Sequence, residues 1–217
     1  MIKILCVGYR EWALKIYNKL AQNYNNGEVS IIKSHEEYID FFVTDYNPDF
    51  ILFYGWSWMV SKDIINNYKC IMLHPSRLPK YRGGSPIQNQ IIRGENNSAV
   101  TLFLMNENMD SGPIVFQEAM PLSGKINDIF DRIEDLGYKG TIQFLDNPTD
   151  GVEQKDDEAT YFERRSEEQS EITLGDLKNE SAEYLYNKIR MLDDPYPNAF
   201  IKTRDNKKLL IKFSEIV

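Results

Sequence analysis

Apolar residues fall in short blocks along the first half of the chain, and residues at helical spacing separate the blocks. Ile2 to Val7 is an apolar block closed by Gly8, and Glu11 to Leu20 follows with Trp12, Ile16, Tyr17 and Leu20 on one helical face. Val29 to Ile32 reads as a second strand and His35 to Phe42 as a helix, and the Asn47-Pro48 turn leads into a third apolar block, Phe50 to Phe53. Ser61 to Asn67 supplies a short helix, Cys70 to Leu73 a strand, Pro86 to Arg93 a helix with proline in its first turn, and Ala99 to Met105 another strand. This alternation predicts an α/β fold built on a mainly parallel sheet.

The second half changes character. Ile114 to Met120 reads as an edge or hairpin strand, and Ile126 to Phe144 as a helix interrupted at Gly137 and Gly140. Asp146 to Glu171 is rich in Asp, Glu, Gln and Ser and is expected to be a long solvated connection that orders against a ligand or the main domain. Beyond it come a helix over Asp176 to Leu192, an extended turn at Asp194-Pro195-Tyr196-Pro197, and a terminal hairpin of Phe200 to Thr203 with Leu209 to Phe213. The expected organisation is a main domain over 1–171 and a small helix-hairpin subdomain over 172–217. The hairpin leaves strand edges to cover, which points to a homodimer.

Composition narrows the function. With a formal net charge of −8, the chain repels polyanions and has no dense Lys/Arg cluster, so a nucleic-acid or membrane partner is not expected. Two cysteines in apolar strands and two histidines fall short of a zinc or disulfide pattern. The N-terminus enters a strand directly, without a signal-peptide layout, and the expected location is cytoplasmic. The first turn, GYREWA, lacks the glycine spacing that admits a dinucleotide pyrophosphate.

The densest chemistry lies in CIMLHPSRLPKYRGGSPIQNQ, Cys70 to Gln90. Pro75 stops the strand directly after His74, which places the imidazole at a strand's carboxyl end, where open parallel sheets bind ligands. The plain structural alternative is a histidine that only bonds a backbone carbonyl. Asp110, in MDSGPI, is either a partner for this histidine or a turn-forming residue before Ser111-Gly112.

Taken together, LHPSRLPKYRGGSPIQ, MDSGPI and KIRMLDDPYPNAF resemble the folate-dependent formyltransferases over nearly the whole chain. The resemblance implies a Rossmann-like domain with helices on both faces, N10-formyltetrahydrofolate as cosubstrate, no metal, and the catalytic pair His74 and Asp110. It implies that His74 stabilises the oxyanion formed when a neutral amine attacks the formyl carbon, while Asp110 orients the imidazole and helps remove the ammonium proton. It also places the pterin against Trp56 and the backbone of Met105, Asn106 and Asp110.

One residue departs from the pattern: Met72 stands two positions before His74, where the family has asparagine. Loss of one oxyanion donor costs about 3 kcal/mol if nothing replaces it. A backbone N–H, a water, Asn106 or Asn108 replaces it; or the enzyme runs on His74 and Asp110 alone; or the site is silent.

Among family members, the transfer RNA enzyme carries a C-terminal barrel and basic surfaces, neither expected here. The glycinamide ribonucleotide enzyme has a glycine-rich first turn, and this chain has bulky neighbours instead. The R-G-G-S-P-I-Q run is similar to the sugar-nucleotide N-formyltransferases, closest to the enzyme that formylates dTDP-4-amino-4,6-dideoxyglucose. The expected acceptor is therefore a nucleoside-diphosphate-linked amino sugar, with dTDP as the carrier, used for O-antigen or another surface glycan. Arg10, Lys80 and Arg82 are the expected diphosphate cations, and Tyr9, Tyr161 and Tyr196 the expected stacking residues. The alternatives are a formyltetrahydrofolate hydrolase and a catalytically silent binding protein.

Overall fold

Successive side chains of a strand point to opposite faces, so a strand apolar at every position must be covered twice. The computed structural model describes residues 1–41, 43–194 and 196–217 and shows both coverings. The chain runs β1 (Ile2–Val7), α1 (Glu11–Asn23), β2 (Gly27–Ile32), α2 (His35–Asp40), α3 (Val43–Tyr46), β3 (Phe50–Tyr54), α4 (Lys62–Asn67) and β4 (Lys69–His74). It continues through β5 (Arg82–Gly83), α5 (Pro86–Ile92), β6 (Asn97–Leu104), β7 (Ile114–Pro121), α6 (Ile126–Asp146), β8 (Tyr161–Phe162), α7 (Leu174–Asn179), α8 (Ala182–Arg190), β9 (Ala199–Lys202) and β10 (Lys208–Ile211). The expected helix end at Phe42 and the turn residue Pro195 lie outside the described residues.

Ile4, Cys6, Leu52, Tyr54, Ile71 and Leu73 bury one face of the sheet against α1 and α6. Leu5, Val7, Ile51, Phe53 and Cys70 bury the other face, where Tyr38 of α2 and Ile64 and Ile65 of α4 pack. The six-stranded sheet has the order β2-β1-β3-β4-β6-β7. β1 to β4 pair in parallel, and β6 and β7 are antiparallel additions. The α/β, mainly parallel sheet with helices on both faces and a C-terminal hairpin is as expected. The chain leaves β1 toward β2 and returns past it to β3, so a crevice opens between the carboxyl ends of β1 and β3.

Two expectations are corrected. α6 is one unbroken helix through Gly137 and Gly140. A Cβ at Gly137 would come within 2.7 Å of Ile16 and Leu73, and one at Gly140 within 2.5 Å of the Phe116 ring. These glycines let the helix lie close on the sheet, and that packing offsets a propensity cost of about 1 kcal/mol each.

The helix expected over Asp176 to Leu192 is two helices. Thr173 caps α7, and Ser181, accepting from the Tyr184 N–H, starts α8. Of the two partners expected for the acidic connection, a ligand or the main domain, it orders against the main domain: β8 pairs in parallel with β5, through Arg82 N–H to Thr160 O at 2.8 Å and Gly84 N–H to Phe162 O at 2.8 Å.

Candidate active site

The strand end at His74 is the floor of a cavity of about 800 Å³. A two-residue period puts Met72 and His74 on the same face of β4, so both line it. The turn after β3 supplies a wall of Trp56, Trp58 and Met59. Gly55 makes that turn possible: it has φ +61°, and a Cβ there would lie 2.7 Å from the Arg10 Cβ. The opposite wall comes from Gly83 to Gln88 and from Tyr161 to Arg164, which β5 and β8 bring together.

His74 is 5% exposed, and both ring nitrogens have partners. Nε2 lies 2.7 Å from Tyr81 O, and because a carbonyl only accepts, Nε2 carries a proton. Nδ1 faces Asp110 Oδ2 at 3.5 Å. The same Oδ2 accepts the Gly83 N–H at 2.8 Å. Asp110 sits in the left-handed region at φ +50°, which only a few non-glycine residues adopt. Both roles weighed for the histidine are therefore present: it bonds a backbone carbonyl and it also meets Asp110.

Arg10 lines the mouth of the cavity. Its guanidinium lies 4.8 Å from the Tyr9 ring centroid and 5.2 Å from that of Tyr196. Arg164 lines the same cavity, and neither arginine forms an ion pair among the described residues. The Tyr9 hydroxyl shares a 2.7 Å hydrogen bond with Ser57. Burial pushes that phenol up, but the Ser57 bond and the charges of Arg10 and Arg164 outweigh burial and hold it below its ordinary value.

Trp56, Asp110, Arg10, Tyr161 and Tyr196 join His74 around the cavity, and Tyr9 packs on Trp58 at its edge, 5.0 Å between ring centroids. Four expected ligand-side residues do not line it. Lys80 is exposed at the surface. Arg82 is 1% exposed and saturated by Gln154, Asp156 and Tyr161, so it anchors protein rather than a diphosphate. Met105 packs into the second apolar core, and the Asn106 side chain accepts from the Asn108 N–H and Ser111 hydroxyl within its own turn.

Sequence reading missed Arg164, Gln88 and Gln154. Gln88, next to Ile87 in the quoted run, was legible only as a helix residue. Arg164 and Gln154 lie in the connection read as solvated.

The family model described as formyl transferase matches residues 4–145, well over half of the chain. The chain belongs to the formyl transferase family. Members of this family take the formyl group from formyltetrahydrofolate. A second model, described as the C-terminal domain of methionyl-tRNA formyltransferase, matches residues 167–215, the region read above as a helix-hairpin appendage.

Methionyl-tRNA formyltransferase of Ehrlichia canis (strain Jake) is 30% identical over 174 residues, which is 77% of this chain and 54% of that protein. The chain spans about half the length of such curated relatives. The structure of methionyl-tRNA formyltransferase from Clostridium thermocellum superposes with a TM-score of 0.84 at 31% identity, covering 97% of both chains. A sugar N-formyltransferase from Shewanella sp FDAARGOS_354 shares the fold, with a TM-score of 0.77 at 18% identity over 100% of this chain and 99% of that one.

The residues present fit a reduced folate. Trp56, Trp58 and Met59 give an apolar wall that suits one face of a pterin ring, and the Trp56 indole N–H is buried without a hydrogen-bond partner among the described residues. No group of three or more potential metal ligands occurs among the described residues.

Proposed function

We propose that the protein transfers a formyl group from N10-formyltetrahydrofolate to the amine of a nucleoside-diphosphate-linked amino sugar. The observation that carries this reading is one cavity with a His-Asp pair at its floor and, at its mouth, two arginines that form no ion pair among the described residues. A neutral amine must reach the pair, and an anionic carrier must reach the cations. Arg10 and Arg164 share the cavity lining with Glu163 and Asp110, but neither arginine is ion-paired among the described residues, so their donors are open to an anion.

The bound folate supplies an activated formyl carbon, with its pterin held against Trp56, Trp58 and Met59. A proton shared by the His74–Asp110 pair makes Nδ1–H a donor at the cavity wall. Its 3.5 Å contact with Asp110 is long enough to leave it free to bond an oxygen gaining negative charge. Asp110 Oδ2 is engaged by the Gly83 N–H, whereas Oδ1 has no hydrogen bond among the described residues and serves as acceptor for the ammonium proton. The ammonium proton that the pair takes up returns to N10 as the bond from the formyl carbon to N10 breaks and tetrahydrofolate leaves. Met72 lines the same cavity and contributes no donor.

A second acceptor, methionyl-tRNA, is favoured by a specific observation: the match of residues 167–215 to the C-terminal domain model, together with the name of the Clostridium thermocellum protein. Incubation with N10-formyltetrahydrofolate and either dTDP-4-amino-4,6-dideoxyglucose, methionyl-tRNA or no amine separates the readings. Formamido sugar supports the proposal. Formylmethionyl-tRNA alone replaces it with the second reading, amine-independent release of tetrahydrofolate replaces it with hydrolysis, and binding without turnover makes the site silent.

A further inference from the structure

Gln154 lies in the acidic connection, far from His74 in sequence, yet its carboxamide is engaged on both sides. Its Nε2 donates to Asp110 O at 3.0 Å and to Gly112 O at 2.8 Å. Its Oε1 accepts from Arg82 Nη2 at 2.8 Å and from Arg82 Nε at 3.2 Å. The partners fix the amide's orientation, because carbonyls need a donor and a guanidinium needs an acceptor. Arg82 is held in turn by Asp156 at 2.9 Å and by the Tyr161 hydroxyl at 2.6 Å.

The two carbonyls that Gln154 holds flank Ser111, in the turn where Asp110 has φ +50°. A Cβ at Gly112 would lie 1.7 Å from Leu104 O, so the turn is pressed against the end of β6 on its other side. The left-handed conformation of Asp110 is thus fixed from both directions. That conformation aims Oδ2 at the Gly83 N–H and at His74 Nδ1.

We propose that Gln154 is a positioning residue: anchored by buried Arg82, it clamps the Asp110 turn so that the Asp110 carboxylate faces His74. The presence of glutamine rather than glutamate follows from this role. A carboxylate would pair better with Arg82 but would repel both carbonyls. Of the charged groups lining the cavity, which are Arg10, Glu163, Arg164 and Asp110, only Asp110 comes within ion-pair distance of His74. The turn is therefore what sets the pair. The effect on rate rests on the catalytic reading above, whereas the effect on Asp110 does not.

The test uses Gln154→Met, which removes both sets of bonds, and Gln154→Glu, which keeps the anchor to Arg82 and loses the donor. Amide hydrogen exchange supplies a readout independent of activity. The Gly83 N–H is bonded to Asp110 Oδ2, while its neighbours Arg82 and Gly84 donate to Thr160 O and Phe162 O. In both variants, Gly83 exchange is expected to rise about tenfold or more while Arg82 and Gly84 stay within about twofold. With the preferred acceptor, kcat is expected to fall about 10- to 100-fold with each KM within about threefold.

Unchanged Gly83 exchange in both variants overturns the proposal. So does an equal loss of protection at Arg82, Gly83 and Gly84, which would show only a loosened β5–β8 pair. A selective Gly83 response in a protein that transfers formyl to no acceptor would support the clamp while removing the catalytic reading.

Discussion

The floor and the mouth of the cavity are built by different physics. At the floor, His74, Asp110 and the Asp110 turn are held by directional bonds to Tyr81 O, the Gly83 N–H and Gln154, and His74 itself is 5% exposed. At the mouth, Arg10 is placed by the faces of Tyr9 and Tyr196, and neither it nor Arg164 has a carboxylate partner among the described residues. Directional bonds in a buried site fix a geometry before substrate arrives, as proton transfer needs. Cations resting on aromatic faces keep their hydrogen-bond donors for a ligand. Floor residues should therefore govern kcat, and mouth residues should govern KM for the acceptor.

The largest effects should come from the floor. His74→Ala and Asp110→Ala are each expected to lower kcat by about 10²- to 10⁴-fold, with the far-ultraviolet circular dichroism of the native protein retained. Near-normal turnover in either variant would end the assignment. At the mouth, Arg10→Ala and Arg164→Ala are each expected to raise KM for the nucleotide-linked sugar about tenfold or more, with kcat within about threefold. If KM for folate rises instead, the arginines hold the glutamate tail of the cosubstrate and the two ends of the cavity exchange roles.

Met72→Asn sharpens the comparison, because it adds a donor to the floor without touching the mouth. Its kcat is expected to equal the native value or exceed it by up to about tenfold. A large loss would mean that Met72 fills a pocket rebuilt around its thioether. The smallest effect is expected from Tyr9→Phe, which removes the exposed bond to Ser57 and the hydroxyl's contact with Arg164. KM for the acceptor should change by about twofold or less, measured under the conditions used for Arg10→Ala.

Much of the frame was legible because strand and helix patterns report which side of an element is covered. Ile4, Cys6, Leu5 and Val7 alternate between two cores as the apolar run at the N-terminus implied. The pairing of His74 with Asp110 was legible only through the motifs shared with a family, and the distance of 3.5 Å is a property of the fold. Gly137 and Gly140 read as helix breaks because local propensity knows nothing of Ile16, Leu73 and Phe116 opposite them. Arg82 read as a free cation because its place in a basic, glycine-rich run resembles a ligand loop, and only packing reveals that Gln154, Asp156 and Tyr161 enclose it.

The sequence alone determined the α/β alternation and the strand end that carries His74, since each depends on residues near one another in the chain. The tertiary structure decided which cations reach the cavity and what holds Asp110 in place. Those outcomes turn on the pairing of β5 with β8, which carries Gln154 and Arg164 across from the acidic connection to the His74 strand end. A contact of that kind between distant segments leaves no periodic trace in either one.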